Sequence, residues 1–454
     1  MTTSPATSSP RGAQPVGEWR ALASLCGPIL LVQLGQLGLS VVDTAMVGRL
    51  TAADLAGVAL GNMFVWSMYM FGSGMLSVLD AVVSQGLGAG DHARVRRDVQ
   101  TGFALALITA LPLMALTAFA GPFFRLLDQP ESVLPRAIDY ALWSLPGLLP
   151  MLLFVAARQA LQAYRSIRPI VVAVLLTNVV NAIGNWILIF GNLGAPEMGV
   201  RGAALASVIG RFAMLGMLLV GSWPLLGPML RPLDRAHLRA AELLRLFRLG
   251  APLGLQFLLE YGAFSGSTVF LGWLGEDAMA AHKIAMILIT ASFMLPLSIS
   301  MATAARVGFA RGALDHEAVR RASRTGLLAG AAVMGACALV FFAAPHALVA
   351  LFTDVERIIP LAAQLVVVAA VFQVFDGIQV VCIGVLRGLG DTRTPFLANI
   401  VGFWIIGIPL ALLLAFPGGA GAVGFWWGLV AGLASVAALL SWRVHVLLRR
   451  ATAT

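Results

Sequence analysis

Gln33, Gln36, Ser40 and Asp43 follow one another at intervals of three, four and three residues within an otherwise apolar run. That spacing sets all four on one face of a helix. A charged side chain at the centre of a membrane helix costs about 2.5–3.5 kcal/mol on insertion scales, so a carboxylate kept there has a use. Two later apolar segments repeat the association of amide and acid, Gln256 with Glu260 and Gln373 with Asp376. Three acids at membrane depth, each with a glutamine close before it on the same helix, read as a path for cations.

The elements that must hold these groups are membrane spans. The chain of 454 residues is 59% hydrophobic and 11% charged, with a mean hydropathy of +0.90, whereas a soluble domain carries about 25% charged residues. Twelve apolar stretches reach the roughly 20 residues a span needs, starting near residues 21, 55, 99, 133, 169, 201, 249, 279, 324, 358, 395 and 421. The net charge of +9 does not argue for nucleic acid, because the basic residues are spread between the spans and form no clustered face. They favour one side of the membrane by roughly four to one, which predicts that both termini are cytoplasmic. Cys26, Cys337 and Cys382 sit in or beside spans at no metal-ligand spacing and read as small packing residues, with no disulfide. The polar first twenty residues, rich in Ser, Thr and Pro, lack the apolar core of a signal peptide.

The chain repeats itself with a period of about 225 residues. Asp91-His92, Val95-Arg96-Arg97 and Thr101-Gly102 recur as Asp315-His316, Val319-Arg320-Arg321 and Thr325-Gly326, and Pro28, Thr44, Gly48 and Leu50 match Pro252, Thr268, Gly272 and Leu274. The expected fold is an all-α integral membrane protein of twelve transmembrane helices in two six-helix bundles related by pseudo-two-fold symmetry, with a cavity between them. The expected division is a disordered tail (1–20), an N-terminal lobe (21–224), a linker (225–248), a C-terminal lobe (249–445) and a short tail (446–454). Asp234 to Arg248 within the linker reads as an amphipathic interfacial helix or a solvated connection. Scaffold motifs occur twice; the acids do not. Asp43 corresponds to Ser267, Glu260 to Gln36, and Asp376 to Pro150 or Met151, which sets these carboxylates apart as functional.

Other residues receive plainer readings. Arg211, in mid-span, calls for a buried partner, and a structural ion pair comes before a role in gating. Asp80 and Gln85 are expected to pack helices or anchor a loop, and Asp139 to be solvated at the outer interface. Phe64, Trp66, Tyr69, Phe71, Trp404, Trp426 and Trp427 are read as interface anchors before a drug pocket. His92, His237, His282, His316, His346 and His445 are scattered without the spacing of a metallohydrolase, which speaks against an enzyme.

Val42-Asp43-Thr44-Ala45-Met46-Val47-Gly48-Arg49-Leu50, followed by Ala53-Asp54-Leu55-Ala56, resembles the first-helix signature of the multidrug and toxin extrusion (MATE) family, NorM-like branch. The segments Leu79–Gln85, Gly88-Ala89-Gly90, Asn185-Trp186-Ile187, Ala281-His282-Lys283-Ile284, Phe293–Leu297, Arg306-Val307-Gly308 and Leu386–Thr392 follow in the family's order, and the similarity covers roughly residues 20–445. The resemblance implies a multidrug efflux antiporter of the bacterial inner (plasma) membrane, exporting organic, often cationic, compounds against sodium ions or protons. It implies a monomer among membrane lipids, with no cofactor besides the coupling ion. It matches Glu260 and Asp376 to the acids that bind the coupling cation, as sodium ligands if the ion is sodium. It matches Asp43 to the first-helix acid of an N-lobe proton or substrate site, with Gln36, Asn178 and Asn181 as neighbours. Another branch pairs that acid with an aspartate on helix five, where this chain has Thr177, Asn178, Asn181 and Asn185. A lipid-linked oligosaccharide flippase of a related branch is the alternative; it would need a cationic cavity, and the mid-span charges here are mostly acids.

The charge bias has a direct consequence. With the native cysteines replaced, an impermeant thiol reagent applied from outside is expected to label Gly418→Cys and to miss Arg239→Cys; the opposite pattern would reverse the topology.

Overall fold

The computed structural model describes residues 15–126 and 131–450, and all regular structure among them is helical. Twelve long helices follow one another: α1 (Pro15–Val47), α2 (Ala52–Gly88), α3 (His92–Ala118), α4 (Leu134–Ala163), α5 (Arg168–Phe190), α6 (Gly199–Leu230), α7 (Ala240–Gly272), α8 (Glu276–Gly312), α9 (His316–Ala343), α10 (Ile359–Gly388), α11 (Arg393–Ala415) and α12 (Gly421–Arg450). Eleven are apolar and long enough to cross a bilayer; the exception is α7. Its 33 residues reach about 50 Å, beyond the roughly 30 Å hydrocarbon layer, but Glu242, Arg245, Arg248 and Glu260 lower its apolar content. The chain is a multi-pass membrane protein. Part of the expected N-terminal tail is helical, since α1 begins at Pro15, and α12 likewise runs on through 446–450; residues 1–14 and 451–454 lie outside the described part.

The duplicated motifs are helix ends. Asp91 and Asp315 each cap the next helix, accepting from the backbone N–H of Arg94 and of Ala318 at 2.8 Å. The residue before each cap is left-handed, Gly90 at φ 68° and Leu314 at φ 57°. Only the first copy uses the residue that takes this conformation without strain. Asp391 serves α11 in the same way, accepting from Thr394 N–H at 3.2 Å and pairing with Arg443 of α12 at 2.8 Å.

Of the two readings of 234–248, an interfacial helix or a solvated connection, the segment between α6 and α7 does not form one continuous helix. It is a short connection containing a 3-10 turn, Arg235–Leu238, after which α7 starts at Ala240. Side chains of α3 hold it. Gln100 donates to Met229 O at 2.8 Å and Pro232 O at 3.1 Å, Thr101 donates to His237 O at 2.8 Å, and Arg245 pairs with Asp98. Asp98 and Glu242 neutralise the basic face that would otherwise have sought a lipid surface.

The lobes α1–α6 and α7–α12 meet along α1, α2, α7 and α8 in the half of the bundle nearest the described termini. Gly88 of α2 lies against Phe309 of α8, and Gly312 of α8 against Gln85 of α2; a Cβ on either would come within 2.0 Å of a backbone carbonyl. Residues 85 and 88 are the repeat counterparts of 309 and 312, so the pseudo-two-fold axis passes through this crossing. Gly74, Gly250 and Gly254 allow a similar approach of α2 and α7. Glu18 with Arg306, and Gln85 donating to Gly388 O at 2.9 Å, tie the same end. Gly312→Val is therefore expected to cost about 1–3 kcal/mol or more through overpacking. Gly216→Ala, which meets nothing within 4 Å, should be neutral. Thermal unfolding of the purified variants reads the difference.

Candidate functional site

Each lobe encloses acid in a shell of neutral donors. In the C-terminal lobe Glu260 of α7 accepts from Gln379 Nε2 of α10 at 3.1 Å and from Asn399 Nδ2 of α11 at 3.2 Å. Gln256 lies one turn before Glu260 and is fully buried, and Asp376 of α10 is buried within electrostatic reach. Gln373 instead donates to Ser292 of α8. The two amides that hold Glu260 went unmarked in the sequence. Gln379 stands three residues beyond Asp376 on the same helix face, and Asn399 is a lone amide in an apolar segment; these were the available signals. Asn399 also immediately precedes a π-helical stretch, Ile400–Gly407, whose Gly402 and Gly407 pack closely on Gly432 of α12. Such local widening is frequent at functional sites.

Gln379 and Asn399 give their N–H groups to Glu260, while their carbonyl oxygens are buried and unpartnered, as are both the oxygen and the nitrogen of the Gln256 amide. Carboxylate and amide oxygens together form the donor set that hard cations take. One turn outward from each polar position stands an aromatic: Phe264 after Glu260, Phe372 before Asp376, Phe403 after Asn399. Phe264 sits edge-on to Phe372 at 6.0 Å and to Phe403 at 5.5 Å, with Trp426 beside Phe372 at 6.4 Å. This layer covers the polar ring from the side opposite the inter-lobe crossing. Trp426 is thus a buried core residue, not an interface anchor.

In the N-terminal lobe Asp43 accepts from Asn185 Nδ2 at 2.6 Å and from Ser207 Oγ of α6 at 3.0 Å. Asn185 also donates to Asn181 Oδ1 at 3.3 Å, and Asn181 and Arg211 lie close to Asp43. Two residues grouped with Asp43 on the sequence are elsewhere. Asn178 donates to Gly35 O at 3.0 Å and Val174 O at 2.9 Å, clasping α5 to α1. Gln36 accepts from Arg158 of α4 at 3.4 Å, nearly two helical turns from Asp43. Asn185 and Ser207 take their places. Among the described residues Arg211 forms no ion pair within 4 Å, and its Nη1 is buried without a partner, contrary to the structural pair expected for it.

Several acids elsewhere are paired with bases. Asp80 of α2 lies 3.8 Å from Arg387 of α10, both buried, joining the two lobes. Asp139 pairs with Arg201 at 2.9 Å, and Asp54 with Arg136 at 2.5 Å. Among the described residues Asp43, Glu260 and Asp376 have no basic group within 4 Å, and no three His, Cys, Asp or Glu side chains gather as a metal site.

Two parallel six-helix lobes, each with an acid caged at membrane depth, define a membrane protein of the two-lobed carrier type. The chain belongs to the MatE family, which matches residues 28–187 and 252–413. It is 37% identical over 456 residues to a probable multidrug resistance protein NorM of Pseudomonas putida, covering 96% of this chain and 97% of that one. It is 34% identical over 452 residues to the protein of the same name in Rhizobium meliloti, covering 96% and 95%. The eukaryotic MATE transporter AtDTX14 has the same fold, with a TM-score of 0.87 at 22% identity, over 96% of this chain and 98% of that one.

The Asp43 cage makes a quantitative demand. A hydrogen bond to a charged group contributes about 1.5–3 kcal/mol, so Asn185→Ala is expected to lower stability, and less so in an Asp43→Asn background. A double-mutant cycle on thermal unfolding measures the coupling; strict additivity would dissolve the cage.

Proposed function

We infer that the protein is a cation-coupled multidrug efflux antiporter of a bacterial inner membrane, with both termini cytoplasmic. It exports organic, often cationic, compounds by alternating access while sodium ions or protons enter. The observation that carries this reading is the absence of any basic group within 4 Å of Asp43, Glu260 and Asp376 among the described residues, Arg211 standing farther off near Asp43 alone. A carboxylate in a low-dielectric span with neutral donors alone is stable only when protonated or beside a cation. Glu260 and Asp376, close together, either share a proton or hold a cation between them. The orphaned oxygens of Gln256, Gln379 and Asn399 would complete a sodium shell. Occupancy then biases the balance between lobe arrangements, which is how one gradient drives another flux. The names of the NorM relatives support export of drugs, and the basic bias of the segments beside the termini supports the orientation. The inter-lobe contacts cluster on the cytoplasmic side in this orientation, so the arrangement fits a carrier closed toward the cytoplasm. The N-lobe cage, with Asp43, Asn181 and Asn185, is the second site, for a proton or for the exported compound.

Transport of a fluorescent cationic dye into or out of proteoliposomes, with sodium and pH gradients imposed separately, tests this. Glu260→Gln and Asp376→Asn remove charge at nearly constant volume. Each is expected to reduce gradient-driven transport about tenfold or more with expression retained, and the double variant to lose little further because the pair acts as a unit. Wild-type transport in the double variant would rule the site out.

A further inference from the structure

The first turns of α9 present Arg320 and Arg324 one turn apart on an exposed helix face. They are the repeat counterparts of Arg96 and Gln100 on α3. In the first lobe those donors are satisfied by carbonyl oxygens at the end of α6 and in the connection that follows: Arg96 Nη2 donates to Pro232 O at 2.5 Å, and Gln100 reaches Met229 O and Pro232 O. In the second lobe two guanidiniums stand in these places, and among the described residues neither has a hydrogen-bond or ion-pair partner. Glu317, the nearest acid in the chain, is taken by Arg321 at 2.6 Å.

Arg320 and Arg324 line a cleft of about 540 Å³ between α9, α10 and α12, with His445 of α12 on its rim. Among the described residues no carboxylate lines it. Its inner wall is apolar, made by Leu327, Leu328 and Ile378, and runs from the helix ends toward the middle of the spans. We propose that this cleft binds an anionic phospholipid of the leaflet on the side of the termini. Arg320 and Arg324 hold the headgroup phosphate, and one acyl chain lies along Leu327, Leu328 and Ile378. Basic pockets between transmembrane helices recognise anionic headgroups in this way. The apolar wall distinguishes lipid from a soluble phosphate, which would gain nothing from it. The lack of an acid among the described lining residues distinguishes an anionic headgroup from a zwitterionic one, whose ammonium would find no partner there.

Native mass spectrometry of the purified full chain, titrated with phosphatidylglycerol or phosphatidylcholine of matched acyl chains, tests the assignment. Wild type is expected to retain phosphatidylglycerol about tenfold more tightly, a difference of about 1.4 kcal/mol. The Arg320→Gln, Arg324→Gln double variant should lose that preference, and Arg96→Gln should keep it. Leu328→Asp, at an exposed position of the apolar wall, should weaken retention as well; all these positions are surface-exposed except Arg96, so folding should survive, and circular dichroism verifies it. Undiminished preference in the double variant, or equal retention of the two lipids by wild type, would overturn the proposal. So would displacement of the lipid by inorganic phosphate at equal concentration, which would mark a simple anion site.

Discussion

A carboxylate inside a hydrocarbon layer has to be compensated, and the architecture of both lobes follows from how this is done. Hydrogen bonds from neutral amides and hydroxyls reduce the cost of burying charge without cancelling the charge itself. Asn185 and Ser207 do this for Asp43, Gln379 and Asn399 for Glu260. An arginine in the same position would have made a permanent ion pair, as at Asp80 with Arg387. The distinction separates acids neutralised by a permanent ion pair from acids held by neutral donors. Burial and polarity alone would not have made it, since Asp80 is as deeply buried as any of the other acids.

The cages also show why each acid needs several helices around it. Glu260 draws ligands from α10 and α11 as well as its own helix, and the aromatic layer adds α12. Polar side chains in the ring are backed by close helix approaches in which glycine removes the Cβ, as where α11 meets α12 at Gly402, Gly407 and Gly432. In lipid, where apolar surface gives helices no reason to prefer one another over acyl chains, such close packing and buried hydrogen bonds supply the association. The inter-lobe crossing at Gly88 and Gly312 uses the same device, with symmetry-related partners, and concentrates the contact between lobes at one end. Two bodies joined at one end are mechanically suited to rocking.

Much of this was legible in the order of residues. Eleven of the twelve long helices follow from apolar length, the internal duplication from the repeated motifs at Asp91 and Asp315, and the singling out of three acids from their absence at the equivalent repeat positions. These are properties of a chain read against a solvent: hydropathy, periodicity and local capping need no knowledge of neighbours. Tertiary structure decided the partners. Gln33, Gln36, Ser40 and Asp43 share one helix face, yet Gln36 meets Arg158 while Asp43 meets Asn185 and Ser207, because the helices opposite change along the length of α1. Asn178, Asn181 and Asn185 likewise lie on one helix, and their rotation about α5 sends the first to the α1 backbone and the last to Asp43. Arg245 belongs by sequence to an interfacial or solvated linker, and its partner Asp98 is far away along the chain. A face is a property of one helix and can be counted along the chain; a site is an intersection of several helices, and only their packing sets which residues arrive at the same depth.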